Sequence, residues 1–414
     1  MKFLKHLYSC SKSMLLHGNR PCFYLIFFIF NLHAITEKKT QRYIKRDIQT
    51  HKQKKIATLQ KYAQVRVLLD TIALPQAAQF SIQSSCGAFM LSDGRGTYKR
   101  HIKKVATSIQ VKKNLLYVDG KRYKESQLKL STGGHITYGQ HTYSGSFILA
   151  LQNGKLLIIN ELPLEQYICS VLRTESWPGW PLEVNKVFAI TSRTYVISMM
   201  QEAQKTKRSY HVHNCNRHQT YSGVHDKKIL QDAVQQTKGI ILAHNNKPII
   251  AMFDSCCGGV IPAHIHEVNF NDAPYLARTY PCTHCKRCWI YNWKAEYTLD
   301  ELHKHLLQEV GPVSNIKNMK VIKQDKAGLS QEVMIYARKK VKLAGKKLYN
   351  LFKEVKSYCY TITKKKNKVI LHGRGYGHHL GLCQWGAREM VRDGWDYKRI
   401  LRFYYPNTTF MKCN

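Results

Sequence analysis

The break Trp177-Pro178-Gly179-Trp180-Pro181, set between two segments of helical apolar spacing, limits this chain more than any other feature. Pro178 disfavours helical geometry in Trp177, and Gly179 loosens the backbone. Pro181 suits the first turn of a new helix, because the N–H it lacks is one that a helix start leaves unpaired anyway. Before the break, Leu164, Tyr167, Ile168 and Val171 form one apolar stripe, which predicts a helix from Pro163. After it, Val184, Val187, Phe188, Thr191 and Tyr195 form a second stripe, with Lys186 and Arg193 expected on other sides. Upstream, the run Phe147 to Leu151, the pair Asn153-Gly154 and the run Leu156 to Ile159 predict a β-hairpin, since Asn-Gly accepts the positive φ angles of a two-residue loop. Glu175 is expected in the connection between the two helices, beside Trp177 and Trp180.

Two effects act on a Glu so placed. Apolar indole surroundings raise its pKa, whereas the positive end of the following helix lowers it. A raised carboxylic acid is what glycosidic bond cleavage requires. The competing reading is an ordinary solvated Glu in a loop.

A second block, Gly373 to Ala387, carries five glycines between Gly373 and Gly386. Such density permits positive φ angles and close backbone approaches that a Cβ forbids, as in loops that line ligands. His378 and Gln384 are the polar groups expected to face a substrate, against the alternative that His378 is a satisfied structural histidine. Leu382 to Val391 predicts a helix capped near Gly394, and Asp396 to Tyr405 another, halted by Pro406.

Together these blocks resemble the stage II sporulation protein D family, also described as the amidase enhancer family. The resemblance rests on Leu162 to Ile168, Glu175, Trp180-Pro181-Leu182-Glu183 and Ala189 to Tyr195, followed about 200 residues later by Gly373 to Ala387. It spans roughly residues 65–406. His379 stands where the family usually has Gly, which is expected to narrow a cleft, and Cys383 where it usually has Ser. The resemblance implies an exported lytic transglycosylase that cleaves the bond between N-acetylmuramic acid and N-acetylglucosamine in glycan stripped of stem peptides. Glu175 would be the catalytic residue, and Trp180, Arg193, Tyr195, His378 and Gln384 would bind substrate. The alternative it implies is a non-catalytic glycan binder that stimulates a cell-wall amidase.

Thirteen cysteines form a further theme. Cys282, Cys285 and Cys288 follow a Cys-x-x-Cys-x-x-Cys spacing, with Cys256-Cys257 upstream. Thiolate capture of zinc and structural disulfides both explain them. His211, His213, Cys215 and His218 occupy the position where some family members bind zinc. The resemblance implies that these four hold a structural zinc ion, with the 282–288 cluster as the competing site and solvated histidines as the bland reading.

A 414-residue chain with 44% hydrophobic content can bury a sizeable core. Its formal net charge of +39 favours anionic partners, namely stem-peptide carboxylates, the head groups of an anionic membrane surface and other envelope polyanions. No nucleic-acid recognition motif accompanies that charge, which argues against nucleic acid. Lys2, Lys5, Lys12 and Arg20 precede the apolar run Phe23 to Phe30, as in a secretory signal or membrane anchor over 1–34 and hence a periplasmic or extracytoplasmic location. A basic tether over 35–61, a β-rich lobe over 62–145 and a catalytic domain over 146–410 complete the expected organisation. A helix over 226–236, strands over 240–243 and 248–253, and a helix over 299–310 mix with meanders rather than alternating regularly. The fold class expected is α+β.

Overall fold

The computed structural model describes residues 58–59, 63–74, 79–93, 99–311 and 315–413. The fold is α+β, and the described residues divide into two compact units, a first of 58–251 with 410–413 and a second of 252–409. The expected leader over 1–34 lies outside the described residues, as does most of the tether. The end of that tether, Thr58–Leu59, is a strand paired in parallel with Thr409–Cys413.

The predicted hairpin forms. Ser146–Gln152 and Lys155–Pro163 pair antiparallel from Gln152↔Lys155 to Ser146↔Glu161, and both turn residues, Asn153 (φ 51°) and Gly154 (φ 67°), take the left-handed conformation. The hairpin is central to a seven-stranded sheet ordered Val212–His213, Gln64–Ala73, Lys155–Pro163, Ser146–Gln152, Gln127–Ser131, Phe89–Ser92, Lys99–Ile102. Strands from either side of residue 145 therefore share one sheet. The division between the compact units falls at 251/252, and a cut at 145 would expose the backbone edges of the central strands. A six-stranded sheet containing Ala106–Lys112 and Leu115–Val118, joined through a tight turn, adds to the β-rich part of this unit.

Three helices belong to the first unit: α1 (Leu164–Glu175), α2 (Leu182–Lys205) and α3 (Lys228–Gln236). Val184, Val187, Phe188, Ile190, Val196 and Ile197 of α2 are fully buried, each worth about 1.5–3 kcal/mol of transfer free energy. The expected polar side of α2 is largely missing, since Arg193 and Thr194 are also fully buried. Packing surrounds this helix, and Thr191, Thr194 and Ser198 satisfy their hydroxyls on carbonyls of the preceding turn.

The second unit carries α4 (Leu299–Val310), α5 (Gly345–Leu351), α6 (Gln384–Arg392) and α7 (Tyr397–Tyr404), with two three-stranded antiparallel sheets. Its core gathers Leu302 and Leu306 of α4 with Leu329, Val333, Ile335 and Leu371. A capping box starts α4, in which the Thr298 hydroxyl accepts from Glu301 N–H at 3.2 Å and Glu301 accepts from Thr298 N–H at 2.8 Å. The helix expected from Leu382 begins two residues later, because Leu382–Cys383 instead pairs in parallel with Phe253–Asp254. Gly394 does adopt φ 79°, as expected of a cap after α6.

Candidate active site

Glu175 is the last residue of α1 rather than part of the connection. Ser176 leaves helical geometry (φ −116°, ψ −166°) while its N–H still bonds Leu172 O, and the chain then turns through Trp180 N–H to Trp177 O at 2.9 Å. Asn185 of α2 is fully buried and staples this turn. Its Oδ1 accepts from the Ser176 hydroxyl at 2.5 Å, and its Nδ2 donates to Trp180 O at 3.0 Å. Trp177 projects with 64% of its surface exposed, whereas Trp180 is half-buried with its ring tilted against Phe188.

Glu175 itself is half-buried, and its pKa is raised. Burial is the main cause; hydrogen bonds from the Thr220 N–H, at 2.5 Å, and from the Thr220 hydroxyl oppose it. Its place at the negative end of α1 adds to the upward push, the reverse of the influence expected had it stood before α2. The loop that supplies Thr220 is well anchored. Tyr221 stacks on Tyr167 of α1 at 5.5 Å and donates its hydroxyl proton to Asn160 of the hairpin at 2.6 Å. The Thr174 hydroxyl holds Thr220 O at 2.6 Å, and fully buried Tyr167 donates to Gln219 Oε1 at 3.0 Å. The result is a framed carboxyl that retains its proton more readily than a solvated Glu, two residues before an exposed indole. It is equipped to donate that proton.

The other expected substrate residues fall differently. Arg193 is fully buried, with Nε and Nη2 on the two Glu165 oxygens at 3.0 and 2.6 Å and Nη1 on Ile240 O at 3.1 Å. Its donors are engaged within the fold, on Glu165 and Ile240. Tyr195 is 8% exposed, its ring tilted against that of His218. His378 and Gln384 belong to the second unit, both half-buried. His378 Nδ1 accepts from Leu380 N–H at 3.1 Å, and burial pushes its pKa down to about 4, so it stands as a neutral, hydrogen-bonded ring. His379, expected to narrow a cleft, is 1% exposed with φ 64°, and its N–H donates to Asp254 at 2.7 Å. Its ring packs inward. The left-handed backbone there explains why Gly is the usual residue. At Gly381 (φ 73°) a Cβ would lie 2.0 Å from Met252 O, so close backbone packing accounts for this glycine of the block.

Among the described residues, the ligand atoms of His211, His213, Cys215 and His218 do not converge into one set within 4.8 Å. His211 Nδ1 accepts from Arg66 N–H at 2.9 Å, His218 Nδ1 accepts from His213 N–H at 3.3 Å, the His213 and His218 rings stack at 5.3 Å, and Cys215 is exposed. Burial lowers the pKa of His211 and His213 to about 4 and of His218 to about 3. These neutral rings brace the loop carrying Thr220, with His211 Nδ1 and His218 Nδ1 on backbone N–H groups and His213 Nε2 near the Tyr210 hydroxyl at 3.3 Å. Among the described residues, the ligand atoms that converge belong to Cys257, Cys282, Cys285 and Cys383 in the second unit.

Thr220, Asn185 and Gln219 escaped sequence reasoning, and Tyr167 was read only as part of an apolar stripe. An Asn in the first turn of α2 was a legible signal, because Asn readily bonds nearby backbone. Thr220 offered none, since its contact spans 45 residues.

Comparison with known proteins is consistent with this placement. Residues 152–244 match the sequence profile described as stage II sporulation protein, and 274–381 match that of a domain of unknown function. The chain is 29% identical over 294 residues to an uncharacterized protein of Brachyspira hyodysenteriae, covering 70% of this chain and 78% of that one. It is 27% identical over 292 residues to the amidase enhancer of Bacillus subtilis, covering 58% of this chain but only 39% of the enhancer's length. With stage II sporulation protein D of Bacillus subtilis it shares 24% identity over 271 residues, 62% of this chain and 76% of that protein.

Proposed function

Because the chain belongs to the stage II sporulation protein D and amidase enhancer family, we propose that its cell-wall-related role is that of an exported lytic transglycosylase using Glu175 as both acid and base. The observation that carries this reading is the raised, half-buried Glu175 carboxyl with exposed Trp177 two residues on. Protonated Glu175 donates to the oxygen linking C1 of N-acetylmuramic acid to N-acetylglucosamine, and the C1–O bond breaks with its electron pair on the leaving oxygen. The muramoyl C6 hydroxyl oxygen bonds to C1, closing an anhydro ring. Its proton returns to the Glu175 carboxylate, so the acid is regenerated and no water is consumed. One carboxylate is sufficient because the nucleophile belongs to the substrate, whereas hydrolysis generally employs two. Trp177 and Trp180 offer indole faces suited to a sugar ring.

Purified glycan strands stripped of peptides, incubated with the protein and analysed by mass, should yield anhydro-ended fragments. A second reading, a glycan-binding stimulator of a cell-wall amidase, is favoured by the relative named amidase enhancer and by the engagement of Glu175 with Thr220. Intact strands together with faster release of stem peptides by an added amidase would favour that reading and sink the transglycosylase.

Export places the protein where its substrate lies, and the net charge of +39 suits a polyanionic envelope or an anionic membrane surface. Protease added to spheroplasts should therefore digest the protein. Full protection, alongside digestion of a periplasmic control, would exclude an extracytoplasmic location.

A further inference from the structure

We propose that Cys257, Cys282, Cys285 and Cys383 bind one structural zinc ion in the second unit, a site distinct from the His211 to His218 loop. All four are buried, and their sulfur atoms lie within 4.8 Å of one another. The sulfurs of Cys257 and Cys285 are 3.7 Å apart. A zinc ion held by thiolates at about 2.3 Å in a tetrahedron has sulfur–sulfur edges of roughly 3.8 Å. An iron–sulfur cubane instead places each thiolate on a different iron, which spreads the sulfurs further apart than a mononuclear ion does.

The frame around the sulfurs is built for negative charge. Cys383 caps the N-terminus of α6 and its sulfur accepts N–H bonds from Gly386 at 3.3 Å and Cys257 at 3.2 Å. The Tyr404 hydroxyl lies 3.1 Å from Cys282 Sγ, placed to donate to a thiolate. Arg278, 1% exposed, carries a buried cation that interacts electrostatically with Cys257 and Cys282, and its Nε has no hydrogen-bond partner. Four thiolates around a dication leave two net negative charges, and a buried guanidinium offsets part of them. Gly386 leaves the sulfurs room, for a Cβ there would sit 2.8 Å from Cys282 Sγ and 2.1 Å from Tyr404 Oη.

The ligands come from three stretches: the turn after Phe253–Asp254, the Cys-x-x-Cys around residue 283, and the end of Leu382–Cys383. One ion would tie these stretches together where the strand pairing between the first and third is only two residues long. Cys383, standing where the family usually has Ser, supplies the fourth sulfur. A closed set of four sulfurs with no open position makes the ion structural rather than catalytic.

Full-length protein purified under reducing conditions should contain about one zinc per chain, with four sulfurs at about 2.3 Å by X-ray absorption at the zinc edge. Cys257→Ser, Cys282→Ser and Cys383→Ser should each weaken zinc binding by more than the roughly 10- to 100-fold that loss of an outer-shell partner costs. Cys215→Ser should keep the metal. Zinc with nitrogen or oxygen ligands, zinc lost with Cys215, or a zinc-free wild-type chain would each overturn the assignment. The absorption measurement needs no variant, so a ligand variant that fails to fold leaves the answer intact. None of these outcomes depends on whether glycan is cleaved.

Discussion

Glu175→Gln is expected to slow glycan cleavage by about 10²- to 10⁴-fold, roughly 3 to 5 kcal/mol of barrier, while leaving the fold in place. The amide oxygen of Gln still accepts from Thr220 N–H, but the side chain has no acidic proton to give. Turnover of peptide-free glycan measures the effect, and a variant with wild-type turnover would end the assignment. The pH behaviour follows from the direction of the shift. Glu175 holds its proton above the ordinary Glu range, so cleavage that starts with a protonated acid should fall as pH rises through that raised value. Stability carries the same sign. Over the interval between the unfolded and the raised folded pKa, the folded state binds the extra proton, so the stability this group contributes is full below the unfolded pKa and declines as pH rises through the folded one. The Gln variant lacks that slope and should melt higher than the wild type near neutral pH. A melting curve with the same pH dependence in both proteins would show that burial does not hold the proton on Glu175.

Arg193→Ala is expected to destabilise the first unit by about 3–5 kcal/mol, because it leaves Glu165 without the guanidinium that pairs both its oxygens. Glu165 retains 26% side-chain exposure, which lets water compensate in part and points to the lower end of that range. The loss extends beyond one pair. Glu165 also accepts from Gly239 N–H at 3.1 Å, and Arg193 donates to Ile240 O, so the cluster joins α1, α2 and the strand Ile240–His244. Arg193→Lys should rescue little, since an ammonium cannot reproduce the two-point pairing. Denaturant unfolding tests this. An unchanged midpoint combined with weaker glycan binding would restore the substrate role that the family resemblance implied.

Local chemistry was enough for the hairpin at Asn153-Gly154, the stop after α1, the starts of α2 and α4 and the cap at Gly394, because each depends on φ preferences and apolar spacing within a few residues. Glu175 was legible for the same reason, as an acid next to a forced break. Its electrostatics were not, for the carboxyl ends α1 and takes its donors from Thr220 across 45 residues. Arg193 was misplaced because apolar periodicity assumes a solvated side, whereas α2 is enclosed and its cation is paired from another helix. The cysteines divide in the same way. The spacing of Cys282 and Cys285 was visible along the chain, but their union with Cys257 and Cys383 required the parallel pairing of Phe253–Asp254 with Leu382–Cys383. Backbone geometry and burial periodicity act over one or two turns of chain and can be read in order, whereas desolvation, ion pairing and ligand convergence depend on which distant segments packing brings within a few ångströms.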